Sequence, residues 1–463
     1  MTTRKIMALA VASALAGGTQ MAQATDVFRL EGYGAISRGM GGTAVAHDVG
    51  PAGMMTNPAT LSLMAEGDQA MIGLDLVTTD ITVRNKTTGE SVSSDTHSNN
   101  RGPYLAPEAA YTKRIGTWSF GVGAFAQGGL GTEYGNGSFL SKDAAGQPTG
   151  LANSSRLLVL NIPFAASFQV NDKLTVGGSV DAMWQGLNLD LLLGADQVVS
   201  LIGANRATGS LVGVLAGLPG LRGAHFSLTK DKFLASGVDA WGYGGKFGLL
   251  YKASQETTLG ASYTFKSQMN DMEGGATLTA VTTGGSVPLT GKIKIQDFQM
   301  PAHVDLGISH RLTSQWTVAA DVSRVFWKNV MKDIKVAFVA DSSAILPNGG
   351  DLNILLPQDY KDQTILSLGT AYQLNDSLTL RGGLRFASQA LRSSTLFAVI
   401  PATPRKHLSA GLTYTLSKQA KLDFAYSHAF KETMDNTSLP NTSAPIEVSH
   451  SQNNATLNFR YSF

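Results

Sequence analysis

The sequence contains no cysteine and little charge. Only 15% of its 463 residues are charged, whereas soluble globular domains carry about 25%. Long apolar runs are also missing. The two longest nearly uninterrupted stretches, 6–16 and 211–221, are well short of the roughly 18 residues that a membrane-spanning helix needs. These absences exclude a helical membrane protein and do not suit an ordinary cytoplasmic enzyme. The lack of cysteine is typical of a periplasmic route, where stray thiols would be oxidised.

Residues 1–24 are predicted to be a signal peptide. Arg4 and Lys5 precede a short apolar stretch, and 22–24 (Ala-Gln-Ala) has the small-x-small pattern that a signal peptidase cleaves. A membrane anchor is the alternative, but the apolar stretch is too short for one. Cleavage removes two of the 36 basic residues and leaves 34 of each sign. A chain with zero net charge has no excess of basic residues to attract the phosphates of a nucleic acid, so we predict no nucleic-acid partner.

From about residue 69 onward, apolar side chains recur at every second position, as in 158–170 and 174–184. This period is typical of β-strands. Short connections alternate with long ones along the whole chain, which is how bacterial outer-membrane barrels are built. We count 14 strands, the first at about 69–84 and the last at about 447–463. The sequence therefore predicts an all-β fold, a 14-stranded antiparallel transmembrane β-barrel in the outer membrane of a Gram-negative cell.

The last strand ends in an apolar stripe of Leu457, Phe459, Tyr461 and Phe463. It resembles the C-terminal signal that the barrel-assembly machinery reads, with Phe463 as the terminal residue. An ordinary edge strand is the alternative. For a barrel we expect outer-membrane lipid and lipopolysaccharide as surroundings, and we expect a monomer.

The segment 25–66 does not alternate, is rich in glycine, and ends in Asn57-Pro58-Ala59. Asn followed by Pro is typical of a helix start. The segment could hang in the periplasm as a linker, or fold back into the lumen. We predict a plug, or hatch, of short helices inside the lumen, because an unfilled lumen of this size would leak. The predicted domains are thus a signal peptide (1–24), a hatch (25–66) and a barrel (67–463).

Several motifs carry a resemblance to a known family. The chain resembles the FadL family of outer-membrane channels for hydrophobic compounds, and is most similar to the TodX-like branch, which is associated with toluene and related monoaromatics. The first group of motifs lies in the predicted hatch and the second in the barrel. They are 27–34 (VFRLEGYG), 37–42 (SRGMGG) and 57–59 (NPA), then 99–104 (NNRGPY), 129–135 (GLGTEYG) and 153–157 (NSSRL).

The resemblance implies a passive channel for small hydrophobic substrates with a movable hatch. A small shift of the hatch near Phe28 and Leu30 would open the path. No Walker motif and no energy-coupling box is visible in the sequence. The predicted hatch residues are Phe28, Leu30, Gly41, Gly42, Asn57, Pro58 and Ala59.

The connection 187–235 is unusually apolar for an extracellular loop. We expect it to form a hydrophobic capture groove, since an apolar patch with a polar rim marks a binding surface. The alternative is a small helical cap whose apolar face packs on itself. Because alternate residues of a strand point to opposite faces, we also expect the side chains of Phe125 and Trp327 to point into the lumen. The predicted substrate-binding residues are Phe125, Leu187, Leu189, Leu201, Ile202, Leu211, Leu215 and Trp327.

The third strand breaks down at 127–131, where glycines cluster. Glycine within a strand marks a bulge or a bend. The alternative is that these glycines merely begin a loop. In FadL-like channels a kink in this strand opens the barrel wall to the bilayer, and the resemblance favours that interpretation. The predicted lateral opening is formed by Gly128, Gly129 and Gly131.

Catalytic motifs are weak. Two dinucleotide-like glycine patterns, 39–44 and 121–126, lack the βαβ unit which that chemistry requires. The His residues have no metal-ligand spacing, and no Gly-x-Ser-x-Gly motif occurs. We therefore predict no enzyme, no cofactor and no metal site.

Three other functions remain open. A long-chain fatty acid channel of the same family would use Lys246, Arg381 or Arg385 to bind a carboxylate. An adhesin or phage-receptor barrel would bind partners through its loops. A general porin would leave the lumen open to ions.

Overall fold

The computed structural model describes residues 27–95, 104–143, 145–228, 237–344 and 346–463. The predicted signal peptide and most of the motif 99–104 lie outside these residues. Within them, no helix has the length and apolar character needed to cross a membrane.

The described residues contain 23 β-strands in a single sheet, and all pairings are antiparallel. In chain order the strands are β1 (Gly67–Val77), β2 (Asp80–Asn85), β3 (Ser91–Ser94), β4 (Tyr104–Ile115), β5 (Trp118–Glu133), β6 (Ser154–Gln169), β7 (Leu174–Gly194), β8 (Ala207–Thr208), β9 (Leu221–Leu228), β10 (Val238–Lys252), β11 (Thr257–Thr264), β12 (Gln268–Met269), β13 (Met272–Thr282), β14 (Gly285–Gln296), β15 (His303–Arg311), β16 (Trp316–Val325), β17 (Asp333–Ala340), β18 (Gly350–Pro357), β19 (Gln363–Gln373), β20 (Leu378–Ala387), β21 (Lys406–Thr415), β22 (Ala420–Asn436) and β23 (Ile446–Ser462).

Short helices lie in the N-terminal segment and in the long connections. The α-helices of the described residues are α1 (Gly34–Gly39), α2 (Ala195–Gly203) and α3 (Ser210–Gly217). The 3-10 helices are Gly50–Met55, Pro58–Leu63, Phe139–Ser141, Trp327–Asn329 and Ser393–Thr395.

The sheet closes on itself, because β1 pairs with β4 on one side and with β23 on the other. Large apolar side chains point away from the closed sheet, for example Ile72 (62% exposed) and Val180 (69% exposed). Polar neighbours on the opposite parity, such as Asp181 and Thr112, are buried. An apolar exterior around a polar interior is the pattern of a barrel in lipid, where every backbone polar group must be paired within the protein.

The predicted number of 14 strands is wrong. Within the described residues, the closed circuit of paired strands that runs through β9 and β13 contains 16 strands. β7 pairs with β10 from Leu174 up to Gly186. Beyond that level, β9 pairs with the end of β7, β13 pairs with β9, and β13 also pairs with β10. The two extra strands therefore enter the wall between β7 and β10.

The physical reason for this error lies in residues 187–194. They continue β7 and are all buried, but the apolar residues change from even positions, up to Trp184, to odd positions, from Leu187. The parity that identified the strand therefore ends before them. The sequence pattern therefore placed them in a loop. β9 was missed because it lies within 187–235, which the sequence pattern assigned to a single apolar loop.

The short connections of the barrel are tight turns at one end. In the turn between β6 and β7, the Asn171 side chain accepts hydrogen bonds from the backbone N–H groups of Lys173 and Leu174, both at 2.9 Å. Asn375 forms the equivalent bonds between β19 and β20. Asn favours such turns because its side-chain oxygen reaches the backbone two residues on. The opposite end carries the long connections, which form the hairpins β2–β3, β13–β14 and β17–β18 and the helices α2 and α3.

The N-terminal segment 27–66 is almost entirely buried. It hydrogen bonds to strands around the whole circuit, so its polar backbone is paired with the wall. The bonds run from Gly34 N–H to Glu108 (3.1 Å, β4), from Ala35 N–H to Asn458 (2.6 Å, β23), from Gly41 N–H to Ser409 (3.0 Å, β21), from Ala44 N–H to Asp321 (2.7 Å, β16) and from the Asn57 amide to the Leu249 carbonyl (3.0 Å, β10).

Candidate functional site

An apolar cavity of about 40 Å³, here called the inner cavity, lies between the N-terminal segment and the long-loop end. β7 contributes Leu187, Leu189 and Leu191 to its lining, and the N-terminal segment contributes Phe28. Ser155 supplies the polar side chain of the lining, and no charged side chain of the described residues takes part. Such a cavity suits a small neutral apolar molecule.

Phe28 and Phe298, which line the inner cavity, form an aromatic group with Trp327 and Tyr360, which do not line it. The Phe28 ring centroid is 5.6 Å from that of Trp327, with the rings nearly perpendicular, and 6.2 Å from those of Phe298 and Tyr360. Trp327 and Tyr360 are themselves 6.2 Å apart. Edge-to-face arrangements at these distances are favourable for aromatic rings. The period-two pattern of the sequence predicts that the Trp327 side chain points into the barrel, and this residue is fully buried.

A second cavity, the vestibule, has a volume of about 390 Å³ and is lined by connections at the long-loop end. Its lining is mixed: Phe139 and Leu140 lie beside Lys142 and Asn153. The vestibule and the inner cavity share Leu191, Phe397 and Val399 in their linings. The two spaces are therefore neighbours.

The residues predicted to form the capture groove lie in two different environments. Leu187 and Leu189 line the inner cavity. Leu201 of α2 and Leu211 and Leu215 of α3 are buried in the apolar core of the long-loop end, as the self-packed alternative expects. Ile202 is half-buried and packs against the same core.

The wall is interrupted between β4 and β5. Their pairing ends at Glu108 and Phe125, although β5 continues to Glu133 in pairing with β6. The β5–β6 register also shifts between Ala126 and Gly128. The glycines 128–131 thus lie inside a strand rather than at the start of a loop.

A third cavity of about 330 Å³, the wall cavity, lies at this interruption. Its lining is mostly apolar. It includes the predicted site residue Phe125, Ala124 beside it, and Trp184 and Trp241 from β7 and β10.

The N-terminal segment runs against the irregular part of β5. Gly129 N–H donates to the Phe28 carbonyl at 2.7 Å, and Leu30 N–H donates to the Gln127 carbonyl at 3.2 Å. A Cβ on Gly128 would overlap the Phe28 carbonyl oxygen, so only glycine permits this approach. Gly131, also predicted at the opening, packs against the Tyr104 ring.

A buried polar cluster adjoins the wall cavity. Lys246 forms an ion pair with Asp181, and the Asn161 amide donates to Asp181 at 3.0 Å and to the Gln127 side chain at 3.2 Å. Asn161 also lines the wall cavity. The cluster pairs its charges internally, as buried charges require.

The other predicted hatch residues hold the N-terminal segment in shape. Gly41 and Gly42 have φ of 70° and 85°, and a Cβ on Gly42 would overlap the Glu31 carbonyl. The Asn57 side chain accepts from Ala59 N–H at 3.1 Å and caps the 3-10 helix in which Pro58 is the first residue.

Glu31 and Arg38 form the charged centre of the segment. Their side chains are 3.5 Å apart, and Arg38 also lies 2.7 Å from Asp75 of β1. Ser427 and Asn454 donate to Glu31 at 2.6 and 3.1 Å. Burial by itself would raise the pKa of Glu31, but Arg38 and these hydrogen bonds outweigh it and hold the pKa well below its usual range.

Three features of the site were missed by sequence reasoning: Phe298, Tyr360 and Phe397. All three lie in connections between strands, where no period directs a side chain inward. A closed barrel with an apolar exterior, a filled interior and internal cavities is the architecture of an outer-membrane transport protein.

The comparisons with known proteins agree with this class. The family model described as "Outer membrane protein transport protein (OMPP1/FadL/TodX)" matches residues 7–463. The chain belongs to this family, which confirms the resemblance and the outer-membrane location.

Solved structures give a more detailed likeness. The P. putida toluene transporter TodX is 42% identical, with 94% of this chain and 99% of that chain covered and a TM-score of 0.83. The Ralstonia pickettii toluene transporter TbuX is 44% identical over the same shares, with a TM-score of 0.79.

Curated relatives are more distant. Outer membrane protein P1 of Haemophilus influenzae is 25% identical over 319 residues, 66% of this chain, and the match spans only 65% of that relative's length. The long-chain fatty acid transport protein of Escherichia coli K12 is 23% identical, with 92% of this chain and 91% of that protein covered.

Proposed function

We propose that this protein is a passive channel that carries small neutral aromatic hydrocarbons, of the toluene and xylene type, across the outer membrane. The inner cavity carries the proposal: it is apolar, it lacks a charged side chain among the described residues, and four aromatic rings meet beside it. The similarity to two toluene transporters supports the same cargo.

The cargo enters by way of the vestibule. Its lining is partly polar, whereas the inner cavity that adjoins it is not. A hydrocarbon that moves from the vestibule to the inner cavity loses contact with water, which is favourable by about 25 cal/mol for each Å² of apolar surface. Leu187 and Leu189 receive it there, whereas Leu201, Ile202, Leu211 and Leu215 support the cap around the entrance.

The inner cavity must open to hold its cargo. Its volume is about 40 Å³, whereas an engineered apolar cavity that binds benzene measures about 150 Å³. Phe28 is the lining residue that belongs to the N-terminal segment and not to the wall. We therefore assign the opening step to a shift of Phe28 and Leu30, with residues 25–66 acting as the hatch of the barrel 67–463.

The cargo leaves sideways through the wall cavity into the bilayer. Gly128, Gly129 and Gly131 shape this exit, and Phe125 faces it. Lateral release avoids transfer of an apolar solute into the aqueous periplasm, which would cost the same free energy per unit area. The mostly apolar lining of the wall cavity supports this route.

A long-chain fatty acid is the second candidate, because a fatty acid transport protein is among the relatives. Its carboxylate needs a cation, yet the candidate cations have other partners. Lys246 pairs with Asp181, Arg381 donates to Thr413 at 2.6 Å and Arg385 donates to Ser367 at 2.6 Å. None of the three lines the inner cavity, and this favours a neutral cargo.

The expected partners follow from the membrane setting. Outer-membrane lipid and lipopolysaccharide surround the barrel, and the exposed terminal Phe463 is the residue we assign to the barrel-assembly machinery. We propose that the barrel is a monomer. We also propose that it has no enzymatic activity, since the family is a transport family.

Uptake of labelled toluene and labelled oleate by a host strain that lacks its own channels of this family tests the function. We expect expression of this protein to accelerate toluene uptake at low concentration and to leave oleate uptake unchanged. Rescue by oleate alone would overturn the aromatic assignment. No effect on either compound would favour a receptor barrel, and a large steady ionic conductance in planar bilayers would favour a general porin.

A further inference from the structure

Phe28 occupies an aromatic cage formed by Phe298, Trp327 and Tyr360. The side chain of phenylalanine is a benzyl group, so the cage already encloses a ring of the size of the proposed cargo. The centroids of the three cage rings lie 5.6 to 6.2 Å from the centroid of the Phe28 ring. Once the hatch shifts and Phe28 leaves, the cage is a binding site for one monoaromatic ring next to the inner cavity.

Two hydrogen-bond donors in this cage have no partner. The Trp327 indole N–H and the Tyr360 hydroxyl are buried, with side chains 0% and 2% exposed, and neither bonds to any described residue. Met331 bonds to the backbone of both residues: its N–H donates to the Trp327 carbonyl at 2.9 Å, and its carbonyl accepts from Tyr360 N–H at 3.0 Å. The two unpaired donors lie on the side chains that contact Phe28.

Other buried aromatic donors in this protein do have acceptors. The Tyr134 hydroxyl donates to the Ala398 carbonyl at 2.7 Å, the Tyr33 hydroxyl to the Gln127 carbonyl at 3.0 Å, and the Trp184 indole to Asp239 at 3.2 Å. Leaving a buried donor unpaired is costly, and native proteins rarely do so. Two such donors side by side, 6.2 Å apart between ring centroids, need an explanation.

The carboxylates nearest in sequence do not supply the missing acceptor. Asp359 lies 2.7 Å from Arg392, and Asp362 lies 3.6 Å from Arg324. Burial also raises the pKa of Tyr360, so its hydroxyl keeps its proton and remains a donor. A plain hydrocarbon offers no acceptor and leaves both donors unpaired. A carbonyl oxygen has two lone pairs and can accept from both.

We propose that the cage selects monoaromatic compounds that carry a hydrogen-bond-accepting oxygen, such as aryl ketones and aldehydes, over hydrocarbons of the same shape. This proposal rests on the proposed function, a channel for small neutral monoaromatic compounds, and extends its substrate class from hydrocarbons to those that carry an acceptor oxygen. The ring of the cargo replaces that of Phe28, and its oxygen accepts from the Trp327 N–H and the Tyr360 O–H. Because the cargo then pairs both donors, its binding also stabilises the arrangement in which the hatch has shifted and Phe28 has left the cage.

Acetophenone and α-methylstyrene test the proposal, because they differ only in the exchange of a carbonyl oxygen for a methylene group. The full chain is reconstituted in lipid vesicles, and retention of each labelled compound is corrected for its partition into protein-free vesicles. We expect the wild type to retain acetophenone about tenfold more tightly than α-methylstyrene. W327F and Y360F should each reduce that preference about threefold, and the double variant should abolish it, with α-methylstyrene retention unchanged.

Trp316→Phe is the matched control, because its indole N–H donates at 2.7 Å to Thr370 on the outer face of the barrel. It should keep the full preference, and correct folding of every variant is checked by its heat-modifiable migration on gels. Equal retention of both compounds by the wild type, or a preference that persists in the double variant, would overturn the cage proposal and leave the channel intact. Retention of neither compound above protein-free vesicles would instead contradict the proposed function.

Discussion

The backbone N–H of Gly129 donates a hydrogen bond of 2.7 Å to the carbonyl of Phe28. Phe28 lines the inner cavity, and its backbone is thus hydrogen bonded to β5. The wall is interrupted where β5 separates from β4. A shift of Phe28 cannot leave β5 untouched. Movement of the proposed hatch and the shape of the proposed exit are mechanically linked.

Gly128→Ala should separate the N-terminal segment from β5. Its added methyl group would overlap the Phe28 carbonyl, so the hydrogen bonds at Gly129 and Leu30 should break. We expect amide exchange at these two positions to accelerate by at least tenfold while the barrel stays folded. Gly137→Ala is the matched control, since no atom lies within 4 Å of its added Cβ. Unchanged protection of the Leu30 amide would show that the contact is not needed to hold the segment.

The wall of the barrel was largely predictable, because lipid outside and polar groups inside force alternation on every half-buried strand. Phe125 and Trp327, which that pattern directs inward, are both buried, although Trp327 lies in a 3-10 helix after β16 rather than on a strand. The pattern failed for residues 187–194, where the apolar residues change from even to odd positions although β7 continues, and the strand count was wrong for that reason.

The aromatic cage could not be predicted from the sequence. Phe298 and Tyr360 lie in connections, and they reach Phe28 only because a closed sheet brings distant segments together. Leu201 and Leu211 were also beyond the reach of the sequence, since an apolar loop sequence does not distinguish a groove from a self-packed cap. Only the structure shows that both are buried in the core.

Glu31→Gln should loosen the N-terminal segment. It removes the charge that Arg38 pairs with, although Asp75 remains 2.7 Å from Arg38, so we expect a loss of about 1–3 kcal/mol in local stability. Hydrogen exchange of residues 34–39 at pH 7 measures this loss. Glu90→Gln is the control, since its ion pair with Lys142 is partly exposed and should change stability by less than about 1 kcal/mol.

The same variant should remove a pH dependence. The pKa of Glu31 is lower in the folded protein than in the unfolded chain, so its stabilisation is fully present above the usual range of a glutamate, about 4.3, and is lost as pH falls below that range. Wild-type protection of residues 34–39 should therefore be constant between pH 7 and 5 and decline at lower pH. If Glu31→Gln showed the same decline, another group would be responsible.

Leu189→Asn should impair transport by placing an amide in the inner cavity. Burial of an unpaired amide beside the cargo costs about 1–3 kcal/mol, so we expect toluene retention to weaken by roughly 5- to 150-fold. The measurement is retention of labelled toluene by reconstituted protein. Val199→Asn, on the exposed face of α2, is the control and should behave like the wild type. Equal retention by the Leu189 variant would contradict the assignment of the cavity.

Ala124→Trp should close the proposed exit without touching the N-terminal segment. Ala124 is exposed on the outer face and lines the wall cavity of about 330 Å³, so an indole there fills the gap beside Phe125. We expect toluene uptake to slow several-fold while retention in the inner cavity stays unchanged, because only release is obstructed. Val122→Trp adds the same ring on the same face of β5, but Val122 lies two residues further from the end of the β4–β5 pairing and does not line the wall cavity, so this variant should transport normally. Unimpaired uptake by a correctly inserted Ala124→Trp barrel would mean that the cargo leaves by another route, through the hatch into the periplasm.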